Sequence, residues 1–190
     1  MAETAEKVET ARTEAERIEE LEQRLAALER QMPEDRLTIG VISGDLDKVM
    51  AAFIVALGAR VYDIEVDMFF TFWATSALRD PVKRVEKKPV DRMFGTMLPT
   101  GTKKLPLSKM QMAGMGPKMM KKVMKDHGVA SLEDLMVQAA EEGVRIHICS
   151  MTMDVMGLKK EEMIDYPYLD CVGVGNFVDM MSRSKSSFFL

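Results

Sequence analysis

The sequence predicts a three-layer α/β/α domain with a mainly parallel sheet of about five strands, preceded by a separate N-terminal helix. Three observations predict it. The strand-like segments are almost wholly apolar, as strands covered on both faces are. Helical stretches alternate with them along the chain. Residues 1–36 differ in composition and charge from everything that follows. A length of 190 residues with 47% apolar and 29% charged side chains fits a soluble globular protein and excludes collagen-like, mucin-like and wholly disordered classes. The two cysteines are too few for a disulfide scaffold and form no CxxC pair. With only His127 and His147 beside them, no metal site and no cofactor is expected. The first thirty residues alternate charge with alanine instead of carrying the apolar core of a signal peptide. The apolar run Val49 to Ala59 is far shorter than the roughly 20 residues that cross a bilayer, so no integral membrane segment is expected. A reducing, cytoplasmic setting is the default expectation.

Residues 3–32 read as a helix, free of Gly and Pro and rich in Ala, Glu, Arg and Gln. Ile18, Leu21, Leu25, Leu28 and Met32 recur at alternating steps of three and four, the seam of a coiled coil. Val8, Ala11 and Ala15 upstream are weaker and out of phase. The helix is either an oligomerisation or partner arm, or a solvated extension. Leu37 to Ile42 is a buried strand ended by Ser43-Gly44-Asp45, with Asp45 placed to cap an apolar helix from Leu46 to Val61. Ile64 to Phe72 is the second strand, and Trp73 to Leu78 a short helix stopped by Pro81. Pro117 suits the first turn of a helix through Lys125. Ser131-Leu-Glu-Asp134 is a capping-box-like start for a helix that Gly143 closes. Val144 to Cys149 is the third strand and residues 159–165 a short acidic helix. Tyr168 to Val174 is the fourth strand, Asn176 to Arg183 the last helix, and Ser187 to Leu190 a closing strand. The domains expected are thus 1–36 and 37–190.

Two features set residues 80–116 apart. A loop so long is functional or disordered more often than not, and it carries Met93, Met97, Met110, Met112 and Met115. Charge is the second. Residues 1–36 hold 6 basic and 11 acidic side chains, whereas residues 79–125 hold 13 basic and 3 acidic ones, half of all Lys and Arg in the chain. Such a block attracts anions. Without interleaved aromatic side chains it does not fit nucleic acid. An acidic protein or an anionic small molecule fits better. The methionines either form a lid over a site or pack on the core.

Ligands of open α/β sheets bind beyond the carboxyl ends of the strands. That rule selects Ser43-Gly44-Asp45, Phe72-Trp73 and Cys149-Ser150-Met151. Cys149 is the only strong nucleophile among them. Thr152-Met153-Asp154 after it is a turn or helix start, whose N–H groups would favour a thiolate. His147 shares its face of the strand but stands about 7 Å away along it, too far for direct pairing. No Ser/His/Asp assignment is better than arbitrary, and Gly173-Val-Gly175-Asn176 lacks the third glycine of a phosphate loop. On these residues alone Cys149 is a nucleophile or a small core residue. Cys171, mid-strand, is expected to be buried and inert, and a Cys149–Cys171 disulfide is undecided.

Four motifs in order decide between these readings. Ser-Gly-Asp-Leu-Asp-Lys (43–48) leading into Ala-Ala-Phe-Ile (51–54), Met-Phe-Phe-Thr-Phe-Trp (68–73), Gly-Met-Gly-Pro-Lys-Met-Met (114–120) and Cys-Ser-Met-Thr-Met-Asp-Val-Met-Gly (149–157) resemble the DsrE/DsrF/DsrH-like family. The similarity is to its longer branch, associated with rhodanese and TusA-type sulfur carriers, and covers about residues 37–190. It implies a parallel-sheet α/β domain, homo-oligomers, and a cysteine after the third strand that carries sulfur as a persulfide or bound thiosulfate. Cys149 occupies that position. Residues 169–177, Leu-Asp-Cys-Val-Gly-Val-Gly-Asn-Phe, depart from the family's glycine-rich ending and leave Cys171 without a role.

The expectation is a sulfur-carrier or sulfurtransferase protein with Cys149 as acceptor. Ser43, Gly44 and Trp73 would line its pocket, and Met112, Met115, Met151 and Met153, with Met110, would shield the persulfide. The lysine block would attract an anionic sulfur donor or an acidic partner. The competing reading is a non-catalytic oligomeric binding module with a Met-lined apolar pocket.

Overall fold

The computed structural model of the chain describes residues 2–29, 32–87 and 95–190. Lys88, Asp91, Arg92 and Met93 of the long loop, and the side chains of Val8, Ala11 and Ala15, lie outside that set. The chain divides into two compact units, Met1–Glu34 and Asp35–Leu190. The first is dominated by helix α1 (Ala2–Glu29).

The second unit is a five-stranded parallel sheet with helices on both sides. Its strands are β1 (Glu34–Val41), β2 (Glu65–Phe70), β3 (Arg145–Cys149), β4 (Leu169–Val172) and β5 (Ser184–Phe189). They lie in the order β4-β3-β2-β1-β5. Leu37↔Val66, Phe69↔His147 and Cys149↔Val172 set the register. At the far edge Leu190 donates to the Gly40 carbonyl and accepts from Ile42, the offset pattern of a parallel pair.

Strand order dictates where the helices lie. From β1 to β4 the chain steps one way across the sheet, so right-handed crossovers put the intervening helices on one face. These are α2 (Leu46–Arg60), α3 (Met115–Asp126), α4 (Leu132–Glu141) and the six-residue α5 (Ser150–Val155). They bury Val49, Phe53, Leu135 and Met136 against Ile39, Val41, Met68, Phe70, Ile146 and Ile148, the main core. The step from β4 to β5 runs the other way, across the whole sheet. Its helix, α6 (Val174–Arg183), therefore lies on the opposite face. There Phe177 stacks on Phe69 with ring centroids 4.3 Å apart and meets Phe189 edge-on at 5.4 Å. Gly40 makes room, since a Cβ there would fall 2.5 Å from the Phe189 ring.

Several expected elements differ in detail. Residues 72–78 wind as a 3₁₀ segment, and the acidic helix shrinks to the 3₁₀ turn Lys160–Glu162. The 80–116 stretch includes two short 3₁₀ turns, Thr102–Lys104 and Met112–Gly114. Asp45 does not cap α2 with its side chain. Its carboxylate accepts the Ser43 hydroxyl at 2.8 Å, while Ser43 Oγ accepts the Asp45 N–H at 3.2 Å. The box at Ser131 and Asp134 forms as expected.

Toward the amino ends of the strands, the α6 face of the sheet is charged. Asp67, 1% exposed, accepts from Arg36 at 2.5 Å, Arg145 at 2.7 Å and His147 at 2.9 Å. The other His147 ring nitrogen meets Asp170 at 2.5 Å. Burial alone would raise the Asp67 pKa, but hydrogen bonds from His147, Arg145 and Arg36 reverse that and hold it far below the usual carboxylate range. Burial likewise opposes charge on His147, and the bonds to Asp67 and the charge of Asp170 outweigh it, so its pKa is raised. The signs follow from linkage. A raised imidazole stabilises the fold fully below its ordinary value and loses that contribution as pH rises through the raised one. A depressed carboxylate contributes above its ordinary value and loses that only as pH falls toward the depressed one. His147→Gln is therefore expected to cost more stability near about pH 6 than near about pH 9, read from urea unfolding. Asp67→Ala should cost about 2–3 kcal/mol at neutral pH, because two arginines and a histidine lose their buried acceptor and keep Glu65 and Asp170.

Candidate functional site

The carboxyl rim of the sheet is assembled from three turns. Gly44, after β1, lies so close to the segment after β2 that a Cβ would stand 2.5 Å from the Trp73 carbonyl oxygen. A side chain at 44 would push these turns apart. Ala74 donates to the Ile42 carbonyl across the same junction at 3.1 Å. The turn after β2 is joined in turn to α5. Thr152, buried, exchanges a hydroxyl bond with Thr71 at 2.8 Å and accepts the Phe72 N–H at 3.2 Å. Phe72 is held in the left-handed region at φ 47, a conformation that costs energy for a side-chain-bearing residue. Ser43, Gly44 and Trp73 thus come together, with Trp73 58% exposed.

Cys149 ends β3 and immediately precedes the first residue of α5, with no side-chain bond to the helix. It is a free thiol, 1% exposed. The sequence leads one to expect an accessible sulfur at an open rim, and the structure corrects that expectation. Cys149 is clustered with Phe69, Phe177 and Met180, with Val172 and Met181 packed beside them. The cover is α6, crossing from one sheet edge to the other. His147, two residues back on the same face, is fully engaged with Asp67 and Asp170 and is not a partner of the thiol.

The methionines separate. Met153 does not shield Cys149, because it belongs to the core on the other face of the sheet. There it accepts the Cys171 thiol at 3.5 Å. Met151 is exposed on the first turn of α5. Met112, in its 3₁₀ turn, and Met115, the first residue of α3, are exposed just after a segment fastened to the start of α2, where Leu46 donates to the Pro106 carbonyl and Ser108 binds Asp47. Met110, Met112 and Ala113 all have positive φ, and Gly116 abuts the Met110 carbonyl. None of these methionines belongs to the cluster around Cys149. Cys171 is half-buried, not fully buried, and burial pushes its pKa up. It faces the main core whereas Cys149 faces α6, so the sheet stands between the two thiols.

Part of the basic block is structural. Arg79 is buried against Glu162 and the carbonyls of Gly95, Leu98 and Pro99, and Lys87 also pairs with Glu162. Lys83 binds Asp165. Arg79, Lys83, Lys87 and Glu162 border a cavity of about 730 Å³, of which Cys149 is not a wall. Lys103, Lys104, Lys109, Lys118, Lys122 and Lys125 remain exposed. Among the described residues no three His, Cys, Asp or Glu side chains converge to hold a metal ion, and no helix is long and apolar enough to cross a membrane.

The profile of the DsrE/DsrF/DrsH-like family matches residues 33–189. The chain belongs to this family. It is 46% identical over 156 residues to the uncharacterized protein YrkE of Bacillus subtilis, spanning 82% of this chain and 96% of that protein. It is 36% identical over 163 residues to the sulfur carrier protein DsrE2 of Allochromatium vinosum, spanning 84% and 100%. Among solved structures, the ychN protein of E. coli aligns with a TM-score of 0.44 and 9% identity over 82% of this chain and 98% of that one.

Within this family member the residues that sequence reasoning missed are Phe69, Phe177 and Met180. The signal for them lay in the i, i+3, i+4 spacing of Phe177, Met180 and Met181, which marks an apolar helix face. The strand it covers is set only by the crossover. In a Cys171→Ser background, Phe177→Ala is expected to speed alkylation of Cys149 at least about tenfold by removing its cover. Gly175→Ala should slow it by strengthening the first turn of α6. Unchanged rates in both variants would show that α6 does not control access.

Proposed function

We propose that this protein is a sulfur carrier that accepts sulfane sulfur on Cys149 as a persulfide and passes it to an acceptor thiol. The reading is supported by one observation: Cys149, at the carboxyl end of the third parallel strand, stands where the resemblance to the family implies a sulfur-carrying cysteine. Similarity to a protein named a sulfur carrier supports the same role.

The chemistry balances without a redox cofactor. The Cys149 thiolate attacks the outer sulfur of a donor, the donor's S–S bond breaks, and the donor leaves as its own thiolate. In the second step an acceptor thiolate attacks the outer sulfur of the Cys149 persulfide, and Sγ leaves as thiolate. Phe69, Phe177 and Met180 supply a dry wall around the sulfur, which protects a persulfide from water and stray thiols. Delivery requires that wall to open.

The partners that fit are sulfur-carrier proteins of TusA or rhodanese type, an anionic sulfur donor drawn by the exposed lysines, and further copies of the chain in a homo-oligomer. Two free cysteines suit the reducing cytoplasm. Ser43, Gly44 and Trp73 form the rim that a partner would meet, with exposed Met112, Met115 and Met151 as adaptable contacts.

Incubation with a polysulfide followed by intact-mass measurement tests the reading. The full chain should gain mass in steps of one sulfur, lose that gain in Cys149→Ala and keep it in Cys171→Ala. Absence of the adduct, or its loss only in Cys171→Ala, overturns the proposal and favours a binding module in which Cys149 is a core residue.

A further inference from the structure

Helix α1 carries Ile18, Leu21, Leu25 and Leu28 along one stripe, each more than half exposed. Large apolar side chains at such spacing are the a and d positions of a coiled coil, with Ile18 and Leu25 at a and Leu21 and Leu28 at d. The flanking positions are then fixed by the numbering. Arg17 and Arg24 stand at g, and Glu22 and Glu29 stand at e.

In a parallel, in-register pair each g residue meets the e residue of the next heptad on the partner helix. Arg17 then meets the second copy's Glu22, and Arg24 meets its Glu29. Every flanking contact is attractive, on both sides of the seam. An antiparallel pair sets g against g and e against e, which would place arginine on arginine and glutamate on glutamate. Arg24 also pairs with Glu20 of its own helix at 2.7 Å. That contact orients the side chain and leaves further guanidinium donors for a partner.

We propose that α1 pairs, parallel and in register, with the α1 of a second copy of this chain. The stripe supplies the attraction and the alternating g and e charges choose the direction. This rests on the N-terminal unit alone and is independent of the sulfur chemistry.

The test uses the full chain with Cys149→Ser and Cys171→Ser, so that an added thiol is the only one. Leu28→Cys at a d position should form an interchain disulfide on mild oxidation. In an antiparallel pair centred on the same seam, residue 28 faces Ile18, so the two thiols stand about 15 Å apart along the axis and do not join. Adding Glu22→Arg and Glu29→Arg makes every g–e contact repulsive and should slow cross-linking roughly tenfold at low salt. Adding Arg17→Glu and Arg24→Glu to that variant restores opposite charges and should restore the rate. Failure to cross-link, indifference to charge reversal, or a loss that the double swap does not rescue would each overturn the proposal.

Discussion

The return of the chain from the β4 edge to the β5 edge governs the rest of this structure. Four strands laid down in one direction leave one face of the sheet bare, and a right-handed return can only cross that face. One ten-residue helix has to cover it. Its apolar side is short, so it covers the carboxyl halves of the central strands, where Phe177 stacks on Phe69 and the sulfur of Cys149 is enclosed. Burying such an aromatic ring contributes roughly 2–3 kcal/mol, with about 1 more from the ring pairs. The covering of the thiol and the joining of β5 to β1 are two results of one crossover.

What the helix leaves uncovered explains the polar half of the same face. Asp67 points to the side of β2 opposite the main core, beyond the reach of the apolar stripe of α6. A carboxylate desolvated there persists because Arg36, Arg145 and His147 satisfy it together. This network also separates two residues that the sequence places on one strand face. His147 turns toward the carboxylates, and the thiol further along the strand sits among apolar side chains. Imidazole and sulfur therefore belong to different environments although they are neighbours in the strand.

Much of this fold is legible in the sequence, because strands buried on both faces are continuous apolar runs and Ser131, Gly143 and Pro117 mark helix ends. The alternation of strands and helices and the position of Cys149 at the end of the third strand follow from local pattern. Three things do not. The helix α5 is only six residues long, too short to show a period, so the sequence leaves open whether it is a turn or a helix start. The neighbours of the methionines depend on which face each helix meets, so Met153 is found beside Cys171 and not beside Cys149. The cover over Cys149 is a property of strand order: Phe177 is nearly thirty residues from the cysteine, and nothing local says that its helix crosses back. Asp45 shows the same limit on a smaller scale, since Ser43 competes for the bond that a cap would use.

On the proposed reading the Cys149 thiol would have opposite requirements when loaded and when delivering, and the start of α6 bears on both. Gly173 precedes the helix and gives it no side-chain cap, and Gly175 occupies its second position. Neither glycine has a positive φ, and a Cβ at Gly175 would meet nothing within 4 Å. Close approach therefore does not explain Gly175. What it contributes is a first turn of lower helix propensity than alanine would give. β4, which feeds this terminus, is an edge strand of four residues and adds little restraint. Opening the first turn of α6 would displace Phe177 from Cys149 and leave the sheet intact, since Phe69 stands on β2 and Met180 further along α6. A dry enclosure that opens at one end is the arrangement the proposed carrier role would require of Cys149.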